Sequence, residues 1–257
     1  MNKKYSFKAN YHTNQYYENV KLMNYIPDRI IDMIVDGIQV NEGQYQNNWY
    51  TFHSSGNHIV CILIDITHLN SLQNFFRDIT NLISISFTPE FNTENVENMN
   101  GMFWECISLI SINFSNLNTK NVKDMEAMLY GCISLHSMDF SNLDLRNVEI
   151  MYKFCYRCDS LVLVNFTNTS TSNLTSYPGL FANCVNLTSV ELPNFNARNI
   201  DGMFDHCPNL KYIDIRSLSG QEYGSIGEVS SYGTIITNSN CSNFFQSRFP
   251  NCTVVIS

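Results

Sequence analysis

Three short stretches hold residue types that could do chemistry. "ENMNGMFWECISL" clusters Met99, Met102, Phe103 and Cys106, and sulfurs converging on one point would suit a soft metal ion. "CYRC" sets Cys155 and Cys158 in a CxxC, the spacing of a redox pair or of half a zinc site. "DHC" puts Asp205, His206 and Cys207 side by side, the residue types of a nucleophile with its base.

Each stretch has a plainer reading, because each recurs. Cys106, Cys132, Cys158 and Cys184 stand 26 residues apart, and Cys207 follows three residues early. A column of cysteines spreads its sulfurs along an axis instead of gathering them on one ion. Cys155 falls where Phe103 stands in the earlier copy, and there is no second CxxC to complete a four-cysteine zinc site. Adjacent residues such as Asp205, His206 and Cys207 rarely meet in the geometry a triad needs, so His206 is read as a solvent-facing helix residue. No HExxH, GxSxG, P-loop or dinucleotide fingerprint occurs. These observations predict no enzyme activity, no cofactor and no metal site.

The elements that position these residues follow from the same period. Asn95, Asn121, Asn147, Asn173 and Asn199 lie 26 residues apart, each followed by an aliphatic residue. Phe91, Leu117, Leu143, Thr169 and Phe195 keep the period upstream, and Leu109, Leu135, Leu161 and Leu187 keep it downstream. Self-similarity of this kind predicts a solenoid whose stacked coils share one core. Met99, Met102, Phe103 and Cys106 recur at i, i+3, i+4 and i+7, which predicts one face of a short helix or 3₁₀ segment. Ile112 and Phe114 alternate with Ser111, Asn113 and Ser115, which predicts a half-buried strand. The fold class expected is therefore α/β: a leucine-rich-repeat-like solenoid with a parallel β-sheet on one face and short helices or 3₁₀ turns on the other. The methionines and cysteines are its packing, since a free cysteine behaves as a small apolar residue. The asparagine column is expected to bond neighbouring turns through its amides, the alternative being solvated turn residues.

The run "NVENMNGMFWECISLISINFSNLNTKNVKDMEAM" resembles the BspA-like leucine-rich-repeat surface proteins, whose repeat reads N-V-x-x-M-x-x-M-F-x-x-C-x-x-L. The resemblance covers roughly residues 75 to 216. The second copy has Leu129 for the phenylalanine, the third has Phe154 and Cys155 for Met-Phe, and the fourth has Tyr177-Pro178 where the helix should begin. The family implies a non-enzymatic protein-binding module displayed at a cell surface and associated with adhesion.

Outside the repeat, residues 1 to 72 are expected to form a β-rich N-terminal cap. "MIVDGIQV" carries Asp36-Gly37 between two apolar runs, a hairpin signal, and "WYTFHSSGNHIVCILI" reads as a second strand–turn–strand. Residues 73 to 216 form the solenoid. Residues 217 to 257 supply a Ser/Gly-rich loop, "SLSGQEYGSIGEVSSYG", and a C-terminal β cap from "GTIITN" and "CTVVIS".

Composition narrows the partners. The net charge is −8, which disfavours the phosphates of a nucleic acid. No run of about 18 apolar residues occurs, so no membrane insertion is expected. Residues 1 to 15 lack an apolar h-region and do not read as a secretory signal, which keeps a cytoplasmic location open beside the cell surface that the resemblance implies. Nine cysteines are an odd count for a disulfide framework, though Cys241 and Cys252 lie outside the column and could pair. Seven N-x-S/T sequons are of the number that an Asn/Ser/Thr-rich chain produces by chance.

The outward strand positions are the candidate binding surface for a protein or cell-surface ligand: Asn113, Asp139, Asn165, Glu191, Tyr212, Asp214 and Arg216. Regular rungs can present such residues to an extended partner. The alternative is an intracellular scaffold or structural protein using the same solenoid for protein–protein contact.

Overall fold

The computed structural model describes residues 5–24, 30–41, 43–169, 171–174, 176–192, 194–195, 199–218, 224–227, 230 and 233–257. The chain runs through β1 (Phe7–Thr13), β2 (Glu18–Lys21), β3 (Ile30–Val35), β4 (Ile38–Gln39), β5 (Tyr45–Gln46), β6 (Trp49–Phe52) and β7 (Gly56–Ile64). The repeat then supplies β8 (Leu82–Phe87), β9 (Ser111–Asn113), β10 (Ser137–Asp139), β11 (Leu163–Asn165), β12 (Ser189–Glu191) and β13 (Tyr212–Asp214). It closes with β14 (Thr234–Thr237), α1 (Ser242–Arg248) and β15 (Thr253–Ile256). Two six-stranded sheets result, ordered β4-β3-β7-β1-β8-β9 and β10-β11-β12-β13-β14-β15, beside a three-stranded sheet β2-β6-β5. The second sheet is parallel throughout. The protein is a β-solenoid.

The coil wall opposite the strands differs from the expectation of helices. Met102 N–H bonds Met99 C=O, Trp104 N–H bonds Gly101 C=O and Cys106 N–H bonds Phe103 C=O, all three-residue turn closures. The alternate donors cross to the next coil: Met99 to Asp124, Gly101 to Glu126, Phe103 to Met128 and Glu105 to Tyr130, at 2.7–2.9 Å. Gly101 and Glu105 have φ of 60° and 54°, the third-position geometry of type II turns. A helix would aim every N–H along its own axis; here half of them are spent on the neighbouring coil, so all are satisfied without one. The spacing i, i+3, i+4, i+7 fits two successive turns as well as a helix face. Among the described residues α1 is the one helix, and it lies outside this wall.

The inward columns are as dry as the periodicity predicts. Met99, Met125, Met151, Met102, Met128 and the five column cysteines are all 0% exposed. Each column thiol donates to the C=O of the previous coil's phenylalanine position: Cys106 to Phe76, Cys132 to Phe103, Cys158 to Leu129, Cys184 to Cys155 and Cys207 to Phe181, at 2.9–3.2 Å. Cysteine suits this place because it is small, apolar and still able to donate a weak hydrogen bond. Phe76 stacks on Phe103 and Phe140 on Phe166, extending the core along the axis.

The asparagine column holds for three copies. The amides of Asn95, Asn121 and Asn147 donate to the carbonyls of Thr67, Glu94 and Lys120 in the preceding coil. Asn199 is not its continuation. It bridges Ser176 in the ladder that also joins Asn98, Asp124 and Ile150, so the three-residue shortening falls before Asn199 and not after it.

At the N-terminal end, β1 pairs antiparallel with β8 on one side and β7 on the other, covering the first coil's strand edge. Asp36 and Gly37, with φ of 50° and 82°, turn β3 into β4 as the Asp-Gly signal predicts. The second expected strand–turn–strand is formed by β6 and β7, but the two strands do not pair with each other: β6 pairs β2 and β5, while both edges of β7 are taken by β1 and β3. At the other end β14 and β15 add two more parallel rungs. Of the loop at 217–233, residues 219–223, 228–229 and 231–232 lie outside the described residues.

Candidate functional site

Strand register decides which outward residues share a row. Ser86 pairs with Asn113 across β8 and β9, and Asp139, Asn165, Glu191 and Asp214 pair in sequence across β10 to β13. The two rows belong to different sheets, because β9 and β10 form no ladder with each other.

Most of this row is occupied in holding the chain's own turns. Asn113 Oδ1 accepts from Ser115 N–H and Oγ–H, Asp139 Oδ1 from Ser141 N–H, and Asn165 Oδ1 from Thr167 N–H and Oγ–H, at 2.6–3.0 Å. These are Asx turns, which lead the chain out of each strand. Asn165 also donates to Asp139 across the rung at 3.1 Å. Asp214 shares the outward row but is covered: it is 3% exposed, and the Arg216 guanidinium grips it through Nε at 2.9 and 3.1 Å and through Nη2. Arg216 is thereby the partner of a buried carboxylate more than a free anchor.

Glu191 stands apart, and the sequence explains why. Two residues after each Asx side chain an N–H receives its bond; two residues after Glu191 stands Pro193, which has none. Glu191 is exposed and makes no hydrogen bond or ion pair among the described residues. Tyr212, one rung on, is half-buried, and burial followed by the charges of Asp214 and Glu191 pushes its phenol upward. Between β10 and β12 lies a shallow groove of about 470 Å³ lined by Ser137, Asp139, Leu163, Asn165, Ser189 and Glu191. Leu163 is its apolar centre, 53% exposed in a ladder column that runs Ser137, Leu163, Ser189, Tyr212 and Thr234. Sequence reasoning passed over Leu163; its place opposite Ser137 and Ser189 was the available signal.

The other chemical candidates resolve into structure. Cys155 and Cys158 are both fully buried, and burial pushes both thiols up. Cys207 points inward, and His206 faces solvent as expected but from a turn at φ of 56° instead of a helix. Cys241 and Cys252 do not pair; their thiols donate to the carbonyls of Leu218 and Ser230. Among the described residues no group of three or more His, Cys, Asp or Glu is placed to hold a metal ion, and no helix is long and apolar enough to cross a membrane. One constellation was invisible in the sequence: His58 Nδ1 lies 2.7 Å from Asp36 Oδ2, and its Nε2 lies 3.1 Å from Thr13 Oγ1. Thr13 is 1% exposed and its hydroxyl donates to the Ser54 carbonyl, so this network ties β1, β7 and the β3–β4 turn together.

Residues 70–195 are similar to the family described as "Mycoplasma protein of unknown function, DUF285". No curated protein matches the chain.

Proposed function

We propose that this chain is a non-enzymatic binding module of the leucine-rich-repeat kind, in which the strand face meets an extended protein partner, at a cell surface in an adhesive role. The observation that carries the reading is the groove across β10 to β12, with Leu163 at its centre and a polar rim that includes the Glu191 carboxylate, which makes no hydrogen bond or ion pair among the described residues. An apolar centre inside a polar rim is the usual anatomy of a protein-binding patch. Tyr212 beside it adds a half-buried aromatic of the type enriched among binding hot spots. The resemblance of the repeat to BspA-like surface proteins supports the adhesive role and the location.

The test is partner recovery from lysate and from host-cell surface extract, comparing the wild type with a Leu163→Ser, Glu191→Ala, Tyr212→Ala variant at equal folded concentration. Asp139, Asn113 and Asn165 stay in place because they hold turns. The reading expects the variant to keep its thermal midpoint and lose the partner; equal recovery by both would move the interface off this face.

A second reading, an intracellular scaffold using the same face, is favoured by the thiols of Cys241 and Cys252, which donate to separate carbonyls instead of bonding each other. Protease treatment of intact cells separates the two: loss of the protein supports the surface, protection supports the scaffold.

A further inference from the structure

The turn wall carries an aromatic column of its own. Trp104, Tyr130 and Tyr156 occupy the same place in successive coils, half-buried, with ring centroids 4.4 and 4.9 Å apart and planes within 21° and 11° of parallel. Rings stacked face to face leave only their edges to solvent, so the ladder can receive a ligand only at its ends. The first end is closed: Arg77, in the same column, lays its guanidinium 4.5 Å from the Trp104 ring centre. The other end is capped more loosely: Lys153, three residues before Tyr156 in the same coil, holds its ammonium over the Tyr156 ring, 5.6 Å from the ring centre. The next position in the column is Ala182, and beyond Tyr156 lies an open cavity of about 410 Å³.

The lining of that cavity selects a ligand class. Tyr152 and Tyr156 with Pro178 and Ala182 give it aromatic and aliphatic walls. Lys153 is exposed, so its flexible side chain can swing off the Tyr156 face and donate to a polar group on a ring stacked there. Asp205 supplies an acceptor on the far side, whereas Asp201 is engaged with the Ser225 N–H and Glu126 with the Asn100 amide. A strong anion would meet these carboxylates, and a strong cation would be repelled by the Lys153 ammonium. A neutral ring with one flat apolar face and hydroxyls around its edge satisfies both charges and the tyrosine. We propose that the open end of the ladder is a saccharide-binding site, in which a pyranose ring continues the stack over Tyr156 while Lys153 donates to, and Asp205 accepts from, its hydroxyls. The site lies on the turn wall and does not depend on the strand-face reading.

The experiment is saturation-transfer NMR on the full chain with cellobiose, lactose and N,N′-diacetylchitobiose as probes, each titrated to about 10 mM, the range of a weak single-ring contact. The expected result is transfer to the protons of one ring face for at least one probe, with affinity lowered tenfold or more in Ala182→Tyr. That substitution extends the ladder into the cavity on a backbone position that carries Tyr130 and Tyr156 in earlier coils, so folding should be kept, as the thermal midpoint will show. Tyr156→Phe should retain binding, because it keeps the ring. No transfer from any of the three saccharides overturns the proposal, as does undiminished binding by folded Ala182→Tyr. Binding of N-acetylarginine amide in place of the saccharides would overturn it in favour of a cationic peptide partner.

Discussion

Replacing Met125 by alanine should be among the most damaging conservative truncations in the chain. Its side chain is 0% exposed between Met99 and Met151 of the adjacent coils. Those coils cannot close on the space left behind, because Met99 N–H is bonded to Asp124 C=O at 2.8 Å and Met125 N–H to Ile150 C=O at 2.9 Å. The cavity therefore persists, and the loss should lie in the upper part of the range for buried Met→Ala, about 3–5 kcal/mol. Met125→Asp goes further by burying an unpaired carboxylate, and should leave no cooperatively folded array. The control is Ser137→Asp on the exposed strand face, expected to change stability by no more than about 0.5 kcal/mol. Urea unfolding followed by far-UV circular dichroism compares them, with midpoints read directly because repeat arrays need not be two-state. Equal midpoints for Met125→Ala and Ser137→Asp would refute the assignment of inside and outside columns.

Thiol counting should find Cys61, the half-buried cysteine, reacting in the native protein, and Cys106, Cys132, Cys158, Cys184 and Cys207 reacting only after denaturation, since burial pushes the Cys106, Cys132, Cys158 and Cys184 thiols upward. Rapid native labelling of the five would contradict the packing. Ala127 holds the turn-wall position that Gly101 and Gly179 fill elsewhere, at φ of 50°, so Ala127→Gly should stabilise by about 0.5–1 kcal/mol. Gly101→Ala should do the reverse by about 1–2 kcal/mol, because its Cβ would fall 2.6 Å from Asn74 Oδ1; midpoints moving the other way would refute the type II geometry. Tyr177 is fully buried with no hydrogen-bond partner for its hydroxyl among the described residues, so Tyr177→Phe should raise the melting temperature, with a gain of about 1 kcal/mol.

The inward columns were legible because a repeat writes the same requirement several times: Leu109, Leu135 and Leu161 could be placed by counting. The turn wall was not, because its apolar spacing is shared with a helix. The discriminating signal was Gly101, Gly131, Gly179 and Gly202, which recur where the chain needs a positive φ and where a helix would be weakened. Counting also misled at Asn199, whose distance from Asn173 matches the period although the shortening has already occurred. The strand register puts Asp139, Asn165, Glu191 and Asp214 in one row as the alternation predicts, but which of these side chains are already engaged was hidden. Asn113, Asp139 and Asn165 look like ligands and serve as turn caps, a role settled by local hydrogen bonds. Pro193 was the sequence signal that sets Glu191 apart from them. The column Trp104, Tyr130, Tyr156 was countable at the same period and was masked by the heavier apolar columns beside it.

The claim that the strand face binds a partner is tested most directly by covering it. In a Cys61→Ser background the remaining cysteines are buried, so a cysteine placed at exposed Ser137 becomes the one reactive thiol and can carry a bulky polyethylene-glycol maleimide. A second protein labelled at exposed Glu94, outside the strands, is the control. Capture of the partner recovered by the wild-type chain should be abolished by the label at residue 137 and unaffected by the label at residue 94. Full capture by the protein labelled at residue 137 would contradict the strand-face account.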